Sequence, residues 1–212
     1  MTQFLRTGPD RGAATLVLAH GAGAGMDSSF LTLMSELLAA RDIAVARFEF
    51  AYMAARRGGG KRRPPPKADM LDGEMIEAVR AIAERGGAGK LAIGGKSMGG
   101  RVASHVCGAL HGEGLLAGLV CLGYPFHPPK TPERLRTSHL AGLTLPALFI
   151  QGERDPFGNR AEVEAMDLPR SIAFHWAIDG DHDLGPRGGS GTTRRENMAG
   201  AADAVGRFLK AL

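Results

Sequence analysis

Residues 95–99 read Gly-Lys-Ser-Met-Gly and directly follow the apolar run 90–94. A stretch with helical patterning, Met98 to Leu110, comes next. Strand, sharp turn and helix in that order make an elbow that exposes the Ser97 hydroxyl at the top of a sheet, where it can act as a nucleophile. With 31 glycines in 212 residues, the pentapeptide discriminates little by itself. The Gly-rich turn before a helix could also cradle phosphate beside Lys96, but the spacing Gly-x-x-x-x-Gly-Lys-Ser/Thr is absent.

A serine needs a base to take its proton and a third group to orient that base. The loop Gly152-Glu153-Arg154-Asp155-Pro156 supplies an acid, and Asp179-Gly180-Asp181-His182-Asp183 supplies a base. Asp155 is preferred to Glu153 by its place after the strand, with Asp179, Asp181 and Asp183 as further candidates. His182 is preferred to His175, which falls inside a predicted strand. Ser97, Asp155 and His182 then occur in the order Ser, Asp, His, each at the carboxyl end of a strand. Acyl transfer also requires donors for a tetrahedral oxyanion. The Met98 amide is one, and the turn His20-Gly21-Ala22-Gly23 offers another, with Ala22 favoured and Gly21 the alternative. Tyr52 and Met53, after the second strand, and Tyr124 and His127, after the strand ending near Gly123, either line a substrate groove or belong to structural turns. His20, His105, His111 and His139 read as ordinary turn, helix or surface residues.

The elements that must position these side chains alternate. Strands are expected at 15–19, 43–50, 90–94, 115–122, 145–151 and 171–178. Helices are expected after an N-cap at Asp27, from about Asp69 to Arg85, from Met98 to Leu110, and after the capping box Thr193-Arg194-Arg195-Glu196. The strands are continuous apolar runs, as in a parallel sheet covered on both faces. A sheet of about six strands in a three-layer sandwich follows, as a single domain over 1–212. Ligands of such sheets bind beyond the carboxyl ends of the strands.

Taken together, the segments 20–27, Lys96-Ser97-Met98-Gly99-Gly100-Arg101, 123–129 and 151–158 resemble the α/β-hydrolase family. Within it the chain is similar to the small dienelactone-hydrolase-like branch, and there to relatives of the hydrolase-like domain in a subunit of the NSL chromatin-acetylation complex. The resemblance implies Ser97 as nucleophile, Asp155 as acid, His182 as base, and no metal or organic cofactor. It also implies an open site, because Ser97 to Asp155 leaves no room for a large cap domain. Some members of this branch act as scaffolds, so a non-catalytic interaction module stands as the alternative to a serine hydrolase cleaving an ester, thioester or related acyl bond.

Charged residues make up 23% and hydrophobic ones 44% of the chain, the balance of a globular domain. No run approaches 18 apolar residues, and residues 1–6 lack the pattern of a signal peptide, so a cytoplasmic, non-membrane protein is expected. The net charge of +4 comes from one place. Arg56, Arg57, Lys61, Arg62, Arg63 and Lys67 carry six positive charges with no acid between them, leaving −2 for the rest. This is a solvated loop or an overhang attracting an acidic small-molecule substrate, not a nucleic-acid-binding face. Cys107 and Cys121 are expected as buried free thiols. No metal-binding spacing occurs, and nothing specifies an oligomeric state.

Overall fold

Each of the six apolar runs becomes a strand, and a seventh strand precedes them. The computed structural model describes residues 2–57, 64–86 and 89–212. In chain order its elements are β1 (Phe4–Thr7), β2 (Ala14–Ala19), α1 (Ser29–Ala39), β3 (Ile43–Phe48), α2 (Ala51–Arg57), α3 (Asp72–Glu84), β4 (Lys90–Lys96), α4 (Met98–Gly112), β5 (Gly118–Leu122), β6 (Ala147–Gly152), α5 (Arg160–Glu164), β7 (Ile172–Ala177) and α6 (Arg194–Ala211). Short 3-10 helices cover Ala68–Leu71 and Ser138–Gly142. The sheet order is β1-β3-β2-β4-β5-β6-β7, parallel throughout except that β1 pairs antiparallel with β3. The expected six strands are therefore seven. β1 is a short edge strand whose middle residues are exposed, so it carries no apolar run.

The unbroken apolar character of the strands has a direct cause. Along β2, Val17 and Ala19 pack into one core with α3 and α4, while Leu16 and Leu18 pack into another with α1 and α6. Side chains alternate between faces, and because helices cover both faces, central-strand positions pointing either way are apolar or hydrogen-bonded, as buried Arg47 of β3 is to Met26 O. That is the three-layer arrangement. At roughly 1.5–3 kcal/mol per buried large aliphatic side chain, Phe30, Leu31, Met34 and Leu38 of α1 and Met198, Val205 and Leu209 of α6 hold their helices on the sheet.

The capping box of α6 forms as expected. Thr193 N–H donates to Glu196 Oε2 (2.7 Å), and Glu196 N–H donates to Thr193 Oγ1 (3.2 Å). The cap of α1 is Ser28, not Asp27. Asp27 instead pairs with Arg57 at 2.7 Å, a partner that local sequence could not reveal. Both cysteines are buried and free; burial pushes Cys107 up to about 12 and Cys121 well above its ordinary value. Among the described residues no helix is long and apolar enough to cross a membrane.

The chain runs outward from β2 to β3, then crosses back to place β4 on the other side of β2. The loops after β2 and β4 therefore part at the point where strand order reverses, the place such sheets use for ligands. Ala19 pairs with Gly95 across this point, which sets the turn at His20 beside the turn at Ser97.

Candidate active site

The elbow is sterically determined. Ser97 has φ 52° and ψ −115°, a left-handed conformation costing about 1–3 kcal/mol in a residue with a side chain. Its N–H donates to Leu122 O at 2.9 Å, tying the turn to β5. Helix α4 then doubles back onto β4. A Cβ at Gly95 would overlap the backbone of Gly99 and Gly100, and one at Gly99 would sit 2.6 Å from His20 O. Both glycines of the pentapeptide are thus required for close packing, and the unpaired N–H groups of the α4 N-terminus are presented at the turn.

Asp155 is fully buried and accepts three hydrogen bonds. Its Oδ1 takes the Phe157 N–H (2.9 Å); its Oδ2 takes Gln151 Nε2–H (3.0 Å) and the ring of His182 at Nδ1 (2.8 Å). Gln151 cannot turn its amide over, because its Oε1 accepts the Tyr124 N–H (2.8 Å) while Nε2 also donates to Gly158 O (3.1 Å). With Nδ1–H committed to the carboxylate, Nε2 of His182 is left as an acceptor. The other candidate acids are engaged elsewhere. Glu153 bonds Arg160 (3.1 Å) and the Asp179 N–H (2.8 Å), Asp179 pairs with Arg154 and Arg187, and Asp181 bonds the Asp183 and Gly185 N–H groups. His175 stays half-buried within β7.

Several ties bring His182 beside the elbow. Lys96, one residue before Ser97 and nearly buried, donates from Nζ to His182 O at 2.8 Å and pairs with Asp183 at 3.2 Å. Burial lowers the Lys96 pKa, and the Asp183 carboxylate opposes that fall. The His182 ring lies 4.5 Å from the Phe157 ring, and Phe157 lines the same cavity as Ser97. Gly123, at φ 65°, lets the β5 loop approach: a Cβ there would be 3.0 Å from His182 O.

On the opposite side, His20 organises the loop after β2. It is fully buried, not the ordinary turn residue expected from sequence. The Phe50 N–H donates to its Nε2 at 3.1 Å, so the proton resides on Nδ1 and is donated to Gly21 O at 2.7 Å. Burial lowers its pKa, keeping it neutral. The Tyr52 hydroxyl reaches Ala22 O (3.2 Å) and Gly21 O (3.4 Å), and burial raises its pKa to about 12, so it remains a donor. Of the two readings open for this half-buried tyrosine, the structural one fits its hydroxyl, which holds loop backbone. Gly21 is close to the elbow: a Cβ there would lie 3.7 Å from Ser97 Cβ. If the loop after β2 supplies an oxyanion donor, Tyr52→Phe should lower kcat/KM on a short-chain ester about tenfold, with KM little altered, since a missing oxyanion donor costs about a hundredfold or more and a loosened one less. An unchanged kcat in steady-state assays counts against a role for this loop.

A cavity of about 540 Å³ opens over Ser97, with Ala22 and Met98 beside it and Pro125 and Phe157 on its wall. Pro65, Pro66 and Lys67 close one side, so part of the basic run does border the site. Of the remainder, Arg57 lies on α2 and pairs with Asp27 and Glu49, and the Arg56 guanidinium sits 5.3 Å from the Tyr52 ring centroid. Lys61, Arg62 and Arg63 lie outside the described residues. Tyr124 and His127, open between groove lining and structural turn, both lie inside the fold. Tyr124 is fully buried, with its hydroxyl on Arg136 O at 2.8 Å, and has no surface to offer a substrate. His127 is buried against Glu162 (3.2 Å) and Pro128 O (2.9 Å) and borders a different hollow, next to Pro129 and Asn159. Both follow β5 closely, but Gly123 turns the chain so that these rings pack inward. Met53 is buried as well.

Behind the cavity, the Ser104 hydroxyl lies 2.9 Å from His139 Nε2, and the His139 and His105 rings meet edge to face at 4.5 Å. Burial, then the charges of His105 and Arg101, push His139 down to about 4 from 6.5. The unfolded chain takes up this proton near pH 6.5 and the native state only near 4, so stability is intact above 6.5 and declines as pH falls through that window. His20 adds to the same slope. Thermal melts between pH 7 and 4.5 should show a falling midpoint, and His139→Gln should flatten the decline. An equal slope in the variant assigns the effect elsewhere.

Residues 12–210 match a family described as an alpha/beta hydrolase domain. Solved structures superpose over almost the whole chain. The esterase domain of a Rhodothermus marinus protein is 14% identical, covering 98% of this chain and 92% of that one, with TM-score 0.68. An α/β serine hydrolase without lid from Xanthomonas campestris is 16% identical, covering 98% and 95%, with TM-score 0.67. Est1E from Butyrivibrio proteoclasticus is 10% identical, covering 98% of each chain, with TM-score 0.68.

Proposed function

The chain belongs to the α/β-hydrolase family, and from that premise we propose that it is a serine hydrolase cleaving an ester, thioester or related acyl bond. The observation that carries this reading is the buried Asp155 carboxylate bonded at 2.8 Å to Nδ1 of His182, a histidine whose carbonyl is tethered to Lys96, the residue before Ser97. That arrangement leaves Nε2 free to take a proton and supplies a negative charge to stabilise the imidazolium formed. Kinship to an esterase domain and to a serine hydrolase of the same fold agrees with it.

In this mechanism Ser97 Oγ attacks the carbonyl carbon as its proton passes to His182 Nε2. The carbonyl π pair moves onto oxygen, and the Met98 and Ala22 N–H groups hold the resulting oxyanion. Collapse breaks the bond to the leaving group, which departs with the proton from His182, leaving an ester on Ser97. Water then loses a proton to His182 and attacks that ester. Collapse of the second tetrahedral intermediate releases the acid and returns the proton to Ser97. Every step uses side chains, backbone amides and water. Residues 1–212 act as one unit in this reading, in the cytoplasm. The motifs at 20–27 and 151–158 favour the dienelactone-hydrolase-like branch and its relatives of the NSL-subunit domain.

A fluorophosphonate probe, which esterifies activated serines, tests the assignment. Wild-type protein should be labelled and Ser97→Ala should not; labelling that persists in the variant sinks it. If the wild type resists the probe and cleaves no p-nitrophenyl ester of any chain length, the interaction-module reading prevails.

A further inference from the structure

Two guanidinium groups face the cavity that contains Ser97. Arg101 lies one turn into α4, its N–H bonded to Ser97 O at 3.1 Å. Side chains on a helix lean toward its N-terminus, which here carries Arg101 toward the elbow. Arg136 comes from the segment between β5 and β6, and its backbone is pinned at both polar groups. Its N–H donates to Phe126 O at 2.7 Å, and its carbonyl accepts the hydroxyl of buried Tyr124 at 2.8 Å. Tyr124 is thus the mount of a cavity residue.

Neither guanidinium has an ion-pair or hydrogen-bond partner among the described residues, and Arg101 Nε is buried without one. Arg101 acts through space on the Asp72 carboxylate, which is itself bonded to His105 at 3.1 Å, and the residues outside that set, 1, 58–63 and 87–88, include no Asp or Glu. Burial, then the charge of Arg101, hold Arg136 below its ordinary pKa. Lys67 adds a third cation to the wall. Asp69 is the carboxylate there, and it accepts the Met70 N–H at 3.1 Å. Native structures rarely leave buried donors unmatched without a reason, and two like charges converging on one hollow create a potential that favours an anion.

We propose that Arg101 and Arg136 form an anion subsite beside Ser97, selecting esters or thioesters whose acyl chain ends in a carboxylate. The planar fork of a guanidinium pairs with a carboxylate through two parallel hydrogen bonds, which a neutral chain cannot reproduce. Pro125, Phe157 and Met98 offer the apolar wall that the intervening methylenes need. The substrate class is therefore the monoester or monothioester of a short dicarboxylic acid. This inference rests on Ser97 as the reacting residue.

The test compares the p-nitrophenyl monoester of adipic acid with p-nitrophenyl hexanoate, corrected for uncatalysed hydrolysis. The wild type should prefer the anionic ester by about tenfold or more in kcat/KM, and added salt should erode that preference by screening. Arg101→Met and Arg136→Met should each reduce the anionic-to-neutral ratio about tenfold, and Arg136→Lys should retain part of it. A wild-type ratio near one at low salt, or a ratio unmoved in folded variants, overturns the subsite. Should neither ester be cleaved, calorimetric binding of adipate decides separately. Millimolar binding that is lost in Arg136→Met upholds the subsite while the hydrolase reading falls; no binding to the wild type overturns the subsite too.

Discussion

Ser97→Ala is expected to reduce kcat/KM on a short-chain p-nitrophenyl ester by about ten-thousandfold or more, the scale on which removal of an activated serine acts. What remains would come from the oxyanion donors and from binding. The substitution isolates chemistry from folding, because alanine keeps the Cβ and inherits the same φ of 52°. Its thermal midpoint should match the wild type. Ser97→Gly offers the complementary check: glycine adopts positive φ freely, so this variant should be equally inactive yet more stable by about 1 kcal/mol. A Ser97→Ala protein within tenfold of wild-type activity would remove the nucleophile from the mechanism. Greater stability in Ser97→Gly alone would show that strain is stored at the elbow for the sake of exposing the hydroxyl.

Asp155→Asn should cost about a thousand- to ten-thousandfold in kcat, and the hydrogen-bond inventory says why. Both carboxylate oxygens face donors: Phe157 N–H at Oδ1, and Gln151 Nε2–H with His182 Nδ1–H at Oδ2. An amide must point its NH2 at one of these sets. Turned toward Phe157, it opposes a backbone donor. Turned toward Oδ2, it opposes Gln151, whose amide is locked by Tyr124, and obliges His182 to accept at Nδ1 and so carry its proton on Nε2. In that tautomer the ring cannot take the serine proton. A stability loss of about 1–3 kcal/mol accompanies either choice, since one buried donor is left unmatched. The 15N shifts of the His182 ring should report the change from Nδ1–H to Nε2–H. A variant that retains the wild-type tautomer and rate would mean that Asp155 serves packing alone.

Much of the site was legible along the chain. The pentapeptide, the capping box of α6 and the apolar runs are local signals, and each announces a backbone geometry that neighbouring residues impose. The order Ser97, Asp155, His182 was readable because strand ends in a parallel sheet point to one edge. β1 escaped notice because an exposed edge strand carries no apolar run, and α2 because Ala51 to Arg57 buries only Met53. For Tyr124 and His127 the choice between groove and structural turn stays open along the chain for a related reason. Position after a strand specifies which end of the sheet a residue occupies, but not whether its ring turns inward.

From the sequence alone followed the architecture and the elbow, with Ser97, Asp155 and His182 as candidates at strand ends, because burial periodicity and turn sterics act over a few residues. Tertiary structure alone decided which partners those polar groups meet. Asp155 and His182 are 27 residues apart, His20 and Phe50 30 apart, and Lys96 and His182 86 apart. The tautomer of His20, the locked amide of Gln151, the tether from Lys96 and the convergence of Arg101 with Arg136 all depend on such distant meetings. Hydrogen bonds and charges act over a few ångströms in space, and separation along the chain leaves no periodic trace of them.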